Sequence, residues 1–442
     1  MTNVDVPQWP VRAVVNLSAY RENLAQMRHF APHCQQMAIV KANAYGHGIE
    51  RMALAALDAG AQWLGVAKAS EAFRLRKYLD KQGVPRDHLV DTPTSAMMRS
   101  RLYQIDAMGL PTAARPRILT WLYTPQTDLQ QVVKAEIDIS VSTLDQLDQV
   151  SRACDAAGLR CRVHLKVDTG LCRAGATNQD FPVLCKLARA RERAGLIEVS
   201  AIWSHLARAD EDTAAAEAFT KSQLSAFDWA WEVAHETGLR PKLRHIAATA
   251  GIIWYPESHY DLVRVGISGY GLSPNPEIAS SWQLGVRPVM RLETNVVQVK
   301  RVEKGAAVSY GGEWVAPGPR WLGLLPIGYA DGLHRLAKNR GETWIKGRRA
   351  PIVGRIPMDQ IVVDLGPAVD DSGDPVSCPV EPGELAFIFG DAEDRLFGGI
   401  PGVPPLPTAD DWAEWTDTIN YEVITSISPS VPRVYVEDQQ DR

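Results

Sequence analysis

Residues 36–48 read QMAIVKANAYGHG and contain the pattern that decides the fold. A short apolar run ends in Lys41, and a turn with two glycines then leads into the amphipathic stretch Arg51–Ala59. A buried strand, a polar residue at its carboxyl end and a following helix are the parts of a βα unit. The same order recurs downstream, so this stretch predicts the repeating unit of an α/β domain.

The βα pattern continues from residue 11 to about residue 270. We predict strands at Val11–Asn16, Gln36–Lys41, Trp63–Ala67, Ile118–Leu122, Ile137–Val141, Arg162–Val167, Ser200–Ser204, Leu243–Ile246 and Leu262–Gly266. The helix-length stretches between them include Tyr20–Phe30, Arg51–Ala59, Glu71–Tyr78, Thr143–Ala157 and Ala214–His235. About eight such units over roughly 250 residues are typical of a closed (β/α)8 barrel of the TIM type. A doubly wound open sheet is the alternative, but no GxGxxG motif follows the first strand.

The residue pattern changes after about residue 280. Short apolar runs separated by Gly and Pro turns predict strands at Val286–Thr294, Thr294–Glu303, Trp321–Leu325, Thr343–Ile345, Ala350–Val353, Ile361–Asp364, Glu384–Phe389 and Val434–Val436. Surface loops are expected at Gly366–Pro382 and Phe397–Thr408, and a short helix at Ala409–Trp415. We therefore predict an α/β chain with a (β/α)8 barrel over residues 1–275 and a C-terminal mostly-β domain over residues 276–442.

Composition excludes several classes of function. The net charge of −5 and the scattered basic residues argue against nucleic acid or an anionic membrane as a partner. No apolar run approaches the ~20 residues that span a bilayer, and residues 1–10 do not resemble a secretory signal. The six cysteines form no CxxC pair, which favours a reducing, cytoplasmic location.

Four cationic side chains fall where predicted barrel strands end: Lys41, Lys166, His205 and Arg264. In a βα barrel these ends face the active site, so together they predict a cationic mouth that suits an anionic ligand. A partly desolvated lysine there can form a Schiff base. Each residue taken alone would more often be a solvated or structural charge, and the constellation is what favours a site.

A phosphate site is indicated beside these cations. The glycines of GISGYG, residues 266–271, follow the last barrel strand, and Thr249 follows the strand before it. Backbone N–H groups in such loops commonly bind phosphate in βα barrels. In the β domain, Tyr310, Tyr329 and Tyr421 could exchange protons or bind a ligand, although a single tyrosine is more often structural. No His, Cys and carboxylate cluster has metal-ligand spacing, and no metal is expected.

These residues stand in motifs that resemble the alanine racemase family of fold-type III pyridoxal 5'-phosphate (PLP) enzymes. The resemblance covers nearly the whole chain. Its motifs, in order, are VKANAYGHG (40–48), HLKVDTGLCRAG (164–175), VRVGISGYG (263–271), VSYGG (308–312), GYADG (328–332), GRIPMDQ (354–360) and DTINYEV (417–423). Its barrel and β domain agree with the architecture predicted above.

The resemblance implies two catalytic residues and a shared site. Lys41 holds PLP covalently and exchanges a proton on the face of D-alanine, while Tyr310 serves the face of L-alanine. Tyr310 comes from the second subunit, which makes the enzyme a homodimer. The product, D-alanine, supplies peptidoglycan.

The remaining roles are also implied by the resemblance alone. Arg264 bonds the pyridine nitrogen, His205 packs beside the ring, and Arg173 faces the cofactor and the substrate carboxylate. Lys166 matches a position that the family often carbamylates. The phosphate contacts fall to Tyr45, Thr249, Gly266, Ile267 and Tyr421. The backbone N–H of Met358 binds the substrate carboxylate, and Tyr329 with Tyr421 forms a narrow gate.

Other PLP barrels are less compatible with the sequence. A decarboxylase of the same class needs a different β domain, and a PLP-carrier protein has none, whereas residues 285–442 form one here. A racemase of another small amino acid, such as serine, stays open as the alternative. The chain departs from the family in having Ala248-Thr249 where Asn-Ser is usual.

Overall fold

The computed structural model describes residues 10–89, 115–393 and 402–438. Most of the segment Asp91–Pro116 and residues 397–401 of the predicted loop Phe397–Thr408 therefore lie outside the described part. The described residues form two compact units. One unit is drawn from Met1–Ala19, Tyr45–Gly48 and Arg287–Arg442, and the other from Tyr20–Ala44 and Ile49–Val286. The first elements of the described part are strand β1 (Val11–Asn16) and helix α1 (Leu17–Phe30).

The second unit is the predicted (β/α)8 barrel, and its eight parallel strands confirm that fold. They are β2 (Gln35–Ile39), β3 (Trp63–Lys68), β4 (Arg117–Leu122), β5 (Asp138–Val141), β6 (Cys161–Lys166), β7 (Ile197–Trp203), β8 (Leu243–His245) and β9 (Leu262–Val265). The strands pair in sequence order from β2 to β8, and β9 pairs with β2. Backbone N–H groups of Asp261 and Arg264 donate to the carbonyls of Arg244 and Ala247 at 3.2 and 3.1 Å. These bonds bring the ring almost to closure.

Helices alternate with the barrel strands as the apolar periodicity predicts. They are α2 (Ile49–Asp58), α3 (Ala69–Lys81), α4 (Leu129–Lys134), α5 (Leu144–Ala157), α6 (Phe181–Arg193), α7 (Ala214–Glu236) and α8 (Thr249–Trp254). The hydroxyls of Thr143 and Thr213 cap α5 and α7 by accepting backbone N–H groups of the first turn. Gly158, in a left-handed conformation, ends α5.

The other unit is mostly β, as expected. Its strands are β1, β10 (Met290–Asn295), β11 (Gln298–Val302), β12 (Ala307–Val308), β13 (Trp314–Val315), β14 (Arg320–Leu325), β15 (Glu342–Ile345), β16 (Arg348–Pro351), β17 (Ile361–Pro367), β18 (Leu385–Phe389) and β19 (Arg433–Val436). One six-stranded sheet has the order β16-β15-β18-β10-β1-β19, and a three-stranded sheet has the order β11-β14-β17. The described helices here are α9 (Ala409–Trp415), which matches the prediction, and α10 (Asn420–Ser426), which was not predicted.

Strand β1 differs from the prediction. Nine strands were predicted up to residue 270, and the barrel contains the last eight. Strand β1 instead pairs antiparallel with β10, Val14 opposite Arg291, and parallel with β19, Val14 opposite Val434. A strand flanked on both sides and buried along most of its length has the same apolar composition in either sheet, so its sequence does not distinguish the two.

Candidate active site

Lys41 lies just beyond the end of β2, in a backbone segment with unusual geometry. Ala42, Asn43 and Ala44 follow it with φ values of 53–54°, in the left-handed region. Such residues cost roughly 1–2 kcal/mol each, and consecutive ones are rare outside functional sites. The backbone N–H of Ala42 donates to Glu71 Oε1 at 2.7 Å, which helps to hold the turn. The loop after Lys41 therefore begins with a backbone conformation that costs energy.

Positive neighbours perturb the Lys41 amine. Burial lowers its pKa first, Arg173 and Arg264 lower it further, and Glu71 partly opposes them. An amine in this environment gives up its proton more readily than an exposed lysine. The expected reactive lysine is thus in surroundings that favour its neutral form.

Lys166 ends β6 and is buried. Its Nζ lies 4.4 Å from the centre of the Trp203 ring, within the range of a cation–π contact. Burial, Arg264 and Arg173 lower the pKa of Lys166 to about 8, and Asp168 acts in the opposite direction. A second lysine with a lowered pKa therefore lies in the barrel.

Arg264, in β9, is buried and makes four hydrogen bonds through its two terminal nitrogens. Nη1 donates to His245 Nδ1 at 3.0 Å. Nη2 lies 2.9 Å from the carbonyl of Ile246, 3.0 Å from that of Ser204 and 3.1 Å from His205 Nδ1. These partners show that Arg264 and His205 are neighbours. The four bonds leave the Nε–H and one of the two Nη1 hydrogens unused.

The ionisation of these groups follows from burial. Burial and Arg173 lower the pKa of Arg264 to about 9, so the guanidinium keeps its charge at neutral pH. Burial, followed by Arg264, Arg173 and the two lysines, holds the pKa of His205 well below its usual range. His205 is therefore a neutral imidazole whose Nδ1 accepts from Arg264.

A buried polar chain that sequence analysis did not predict runs from Arg264 through the barrel. His245 Nε2 lies 3.0 Å from His164 Nδ1, and His164 Nε2 lies 3.1 Å from Asp138 Oδ2. Asp138 also accepts a short hydrogen bond from the buried Arg117. Arginine only donates and an ionised carboxylate only accepts, so each neutral imidazole carries its proton on Nε2. The chain therefore has one consistent direction, with donation from Arg264 towards Asp138.

One signal in the sequence could have indicated this chain. Residues two apart on a strand point to the same face, and His164 stands two residues before Lys166 in a strand that is buried throughout. A polar histidine at a buried strand position, on the same face as Lys166, indicates a polar partner inside the barrel. Its partners come from strands distant in sequence, and these the pattern could not identify.

The residues expected to bind a phosphate lie together at the ends of β8 and β9. Thr249 begins α8, and its hydroxyl accepts the backbone N–H of Gly266 at 3.1 Å. Ala248, the residue that caps this helix, makes no side-chain hydrogen bond to the first turn. Ile267 is buried directly after Gly266. The structure thus brings Thr249, Gly266 and Ile267 together.

Arg173 lies in a loop that the Asp168 carboxylate organises. It is exposed, in a loop where Asp168 Oδ1 accepts the backbone N–H groups of Gly170 and Cys172 at 3.0 and 3.1 Å. A Cβ on Gly175 would lie 2.5 Å from the Asp168 backbone nitrogen, so the loop folds tightly on itself. The charge of Arg173 lowers the pKa of Lys41, Lys166 and Arg264.

The β unit presents three of the expected residues on exposed turns. Tyr310, Met358 and Tyr329 are 70%, 52% and 43% exposed. The carbonyl of Met358 accepts the backbone N–H of Ala330 at 3.0 Å, and the carbonyl of Pro357 accepts that of Tyr329 at 3.1 Å. The Met358 and Tyr329 turns are therefore fixed side by side.

Tyr45 and Tyr421 form a second group in the β unit. Their ring centres are 6.3 Å apart and the rings are inclined by 45°. Tyr45 is buried, and burial raises the pKa of its phenol well above its usual range. Its hydroxyl therefore stays protonated and can act as a hydrogen-bond donor.

Other kinds of site are not found in the described part of the chain. The cysteines are free thiols, and no group of three or more His, Cys, Asp or Glu side chains among residues 10–89, 115–393 and 402–438 could hold a metal ion. Within the same ranges, no helix combines the length and hydropathy needed to cross a membrane.

Comparison with known proteins identifies the family. The family model "Alanine racemase, N-terminal domain" matches residues 15–274, and "Alanine racemase, C-terminal domain" matches residues 289–435. The chain belongs to the alanine racemase family. It is accordingly an isomerase of the kind that interconverts L- and D-alanine.

Individual relatives agree over nearly the full length. An alanine racemase of Streptomyces coelicolor is 40% identical over 428 residues, which cover 97% of this chain and 96% of the relative. The crystal structure of the alanine racemase from D-cycloserine producing Streptomyces lavendulae has 38% identity and a TM-score of 0.81, and covers 98% of each chain. The alanine racemase structure from Clostridium difficile 630 has 27% identity and a TM-score of 0.79, again covering 98% of each chain. These relatives give no support to the serine alternative.

Proposed function

We propose that the chain is a PLP-dependent alanine racemase in which Lys41 and Tyr310 exchange protons with opposite faces of the substrate. The observation that carries the proposal is the environment of Lys41. Burial, Arg173 and Arg264 lower the pKa of its amine at the end of a barrel strand. A neutral amine is what imine formation with an aldehyde requires.

The donor set suits a ligand with a phosphate at one end. The Thr249 hydroxyl and the backbone N–H groups around Gly266 and Ile267 would hold the phosphate, at the start of a helix that no side chain caps. The family resemblance adds the hydroxyls of Tyr45 and Tyr421. The positive charge around Lys41, Lys166 and Arg264 would be neutralised by this anion.

Arg264 would meet the pyridine nitrogen at the other end of PLP. Nη2 and one N–H of Nη1 meet protein acceptors, which leaves the Nε–H and the second Nη1 N–H for the cofactor. A guanidinium does not give up its proton readily, so the pyridine nitrogen would stay unprotonated. When bound, PLP supplies an electron sink for the pair that remains when the Cα–H bond breaks.

Two groups would then move the proton. The Tyr310 oxygen takes the Cα proton of L-alanine, and the Lys41 amine returns a proton to the opposite face to give D-alanine. After each conversion Tyr310 would lose the proton it took and Lys41 would regain one, by exchange with solvent, so that both groups are ready for the next L-alanine. Arg173 and the backbone N–H of Met358 would hold the substrate carboxylate, while Tyr329 and Tyr421 limit the size of the opening. His205 would pack beside the ring and orient Arg264.

The test of this function pairs a spectrum with an activity. Purified protein should absorb in the visible range because of bound PLP, and should convert L-alanine to D-alanine. Lys41→Ala should lose both properties. Bound PLP without alanine turnover would redirect the proposal to another small amino acid, with serine tested next. Protein that binds no PLP would refute it.

A shared site in a homodimer is the second part of the proposal. It rests on the family resemblance and on the exposure of Tyr310 and Met358, which a second subunit would cover. Lys41→Ala and Tyr310→Phe should each be inactive when purified alone. After dissociation and mixing in equal amounts, half of the dimers would be mixed and would carry one intact site of two. Activity should then return to about a quarter of the wild-type value. No recovery would place both residues of each site in one chain.

The cellular role follows from the product. The enzyme would work in the cytoplasm, where its free cysteines stay reduced. The D-alanine that it supplies would be used to build peptidoglycan. The gene should therefore restore growth without added D-alanine to a bacterial strain that lacks its own alanine racemases. The Lys41→Ala form should not.

A further inference from the structure

The turn that carries Tyr310 has a backbone that its own residues do not favour. Ser309 has φ 61° and ψ −174°, and Gly311 and Gly312 have φ 78° and 54°. A serine at positive φ is strained and persists only when its surroundings hold it. The phenol of Tyr310 is 70% exposed, so its side chain adds little packing to the turn. Contacts from other segments must therefore fix the turn.

Those contacts come from the segment Gly354–Arg355. The Ser309 hydroxyl donates to the Arg355 carbonyl at 2.7 Å. A Cβ on Gly311 would lie 2.9 Å from the guanidinium carbon of Arg355, so that guanidinium lies directly against the Gly311 backbone. The Arg355 side chain thus occupies the space in which the turn could otherwise relax.

Glu313 in turn fixes the Arg355 side chain. Arg355 Nε and Nη2 both donate to Glu313 Oε1, at 2.8 and 2.5 Å, and Lys338 Nζ donates to Glu313 Oε2 at 2.6 Å. Hydrogen bonds between charged partners are the stronger kind. Those from Arg355 and Lys338 lower the pKa of Glu313 to about 2, so the carboxylate stays charged across the working range of the enzyme.

We propose that Glu313 is a positioning residue for Tyr310, which acts by holding the Arg355 guanidinium against Gly311. This inference rests on the proposed role of Tyr310 as the proton-transfer group for L-alanine. Glu313 touches neither substrate nor cofactor in this scheme. It follows the turn by one residue, and its carboxylate ties that turn to two distant segments of the β unit.

The proposal separates activity from stability. Partly exposed ion pairs contribute little to stability, whereas a displacement of a reacting group by about 1 Å can cost about 100-fold in rate. Glu313→Gln keeps the size and polarity of the side chain but removes the charge. We expect its turnover to fall about tenfold while its melting temperature and its visible PLP absorbance stay those of the wild type. Glu313→Asp should recover part of the loss.

Isotope effects locate the defect. Breaking the Cα–H bond of L-alanine transfers that proton to Tyr310, and breaking the Cα–H bond of D-alanine transfers it to Lys41. If only the Tyr310 step slows, the deuterium isotope effect should rise with L-[2-²H]alanine and fall with D-[2-²H]alanine. General loss of structure or of cofactor would not produce this opposite change. Tyr310→Phe lacks the hydroxyl that would take or return the proton, so it serves as the reference for the proposed role of Tyr310 and should be inactive with both enantiomers.

The chain offers a matched control in the same unit. Glu384 pairs with Lys346 at 3.0 Å, and its side chain is 33% exposed against 28% for Glu313. Glu384→Gln should leave turnover and both isotope effects unchanged.

Two results would overturn the positioning role. In the first, Glu313→Gln behaves like Glu384→Gln; in the second, both of its isotope effects shift in the same direction or its melting temperature falls together with the rate. If Tyr310→Phe keeps wild-type activity, the proposed role of Tyr310 fails instead, and the inference falls with it.

Discussion

Replacing Lys166 by methionine tests how the barrel handles its buried charges. The side chain is buried, and burial, Arg264 and Arg173 lower the pKa of its amine from 10.5 to about 8. One pKa unit corresponds to about 1.4 kcal/mol, so a shift of about 2.5 units corresponds to about 3 kcal/mol. The contact of Nζ with the Trp203 ring offsets about 1 kcal/mol of this. At pH 7 we therefore expect Lys166→Met to be more stable than the wild type by about 2 kcal/mol.

The sign of the pH dependence follows from proton uptake. Between about pH 8 and pH 10.5 the folded protein holds a neutral Lys166, while the unfolded chain holds a protonated one. Unfolding then takes up a proton, so wild-type stability rises with pH across this window. Below about pH 8 both states are protonated and the penalty on the folded state is complete. The advantage of Lys166→Met, about 2 kcal/mol at neutral pH, should therefore shrink towards zero as the pH approaches 10.5.

The assay is urea unfolding of both proteins in their PLP-free form, followed by tryptophan fluorescence from pH 7 to pH 10 at a fixed enzyme concentration. Carbon dioxide is excluded, because a carbamate on Lys166 would be an anion beside Arg264 and Arg173 and would reverse the sign. Lys186→Met, on the exposed face of α6, serves as the control and should show no such window. A methionine variant that is less stable at pH 7 without carbon dioxide, with a gap constant in pH, would refute the reasoning. Adding bicarbonate then tests carbamylation by mass and by a gain in wild-type stability.

Three further substitutions test the site. Asp138→Asn leaves Arg117 as a buried charge without its carboxylate and should cost about 3–5 kcal/mol of unfolding free energy. This cost should shrink as the pH falls below about 4, because the pKa of Asp138 is about 2 in the folded protein and the wild type then loses the same stabilisation. Gly328→Ala would place a Cβ 2.2 Å from the Met358 carbonyl oxygen, so KM for alanine should rise about tenfold. Thr249→Ala removes the hydroxyl that accepts the Gly266 N–H and should weaken PLP binding about tenfold in a fluorescence titration.

Each substitution has a control variant in the same assay. Asp138→Glu keeps the charge, and Thr249→Ser keeps the hydroxyl, so each should recover part of the loss. Gly323→Ala probes a glycine of a central strand of the β unit, where the added Cβ meets only side chains at 3.1 Å or more. It should leave KM unchanged. A loss of equal size in variant and counterpart would contradict the proposed contact in each case.

The barrel was largely predictable from periodicity. Predicted and observed barrel strands differ by a few residues at most, because a short apolar run between turns and helices has few alternatives. Strand β1 was assigned to the wrong sheet, since its burial is the same in either one. Helix α10 was missed because Val423, Ile424 and Thr425 are β-branched, and such residues favour strands.

The site was predictable only where geometry is local. Lys41, Lys166 and Arg264 could be placed at the barrel mouth because the carboxyl ends of barrel strands share one face. Tyr310 and Met358 stand on exposed turns of the β unit, and nothing in their local pattern distinguishes them from ordinary surface residues. Their roles came from the family resemblance. The carboxylate and two imidazoles behind Arg264 depend on which strands are neighbours, which no short stretch of sequence contains.

The charges of the barrel explain why a lysine can serve as a reactive amine here. Lys41, Lys166 and Arg264 all have lowered pKa values, and the carboxylate at the far end of the imidazole chain, Asp138, is already paired with Arg117. The mouth therefore holds more positive charge than the protein neutralises. This excess favours the neutral form of Lys41, which the proposed imine formation would require, and would attract an anionic ligand. An anion bound at the barrel mouth would offset the repulsion that the charged forms of Lys166 and Arg264 meet in the free barrel. The arrangement that makes the free barrel electrostatically unfavourable is thus the one that prepares it for its ligand.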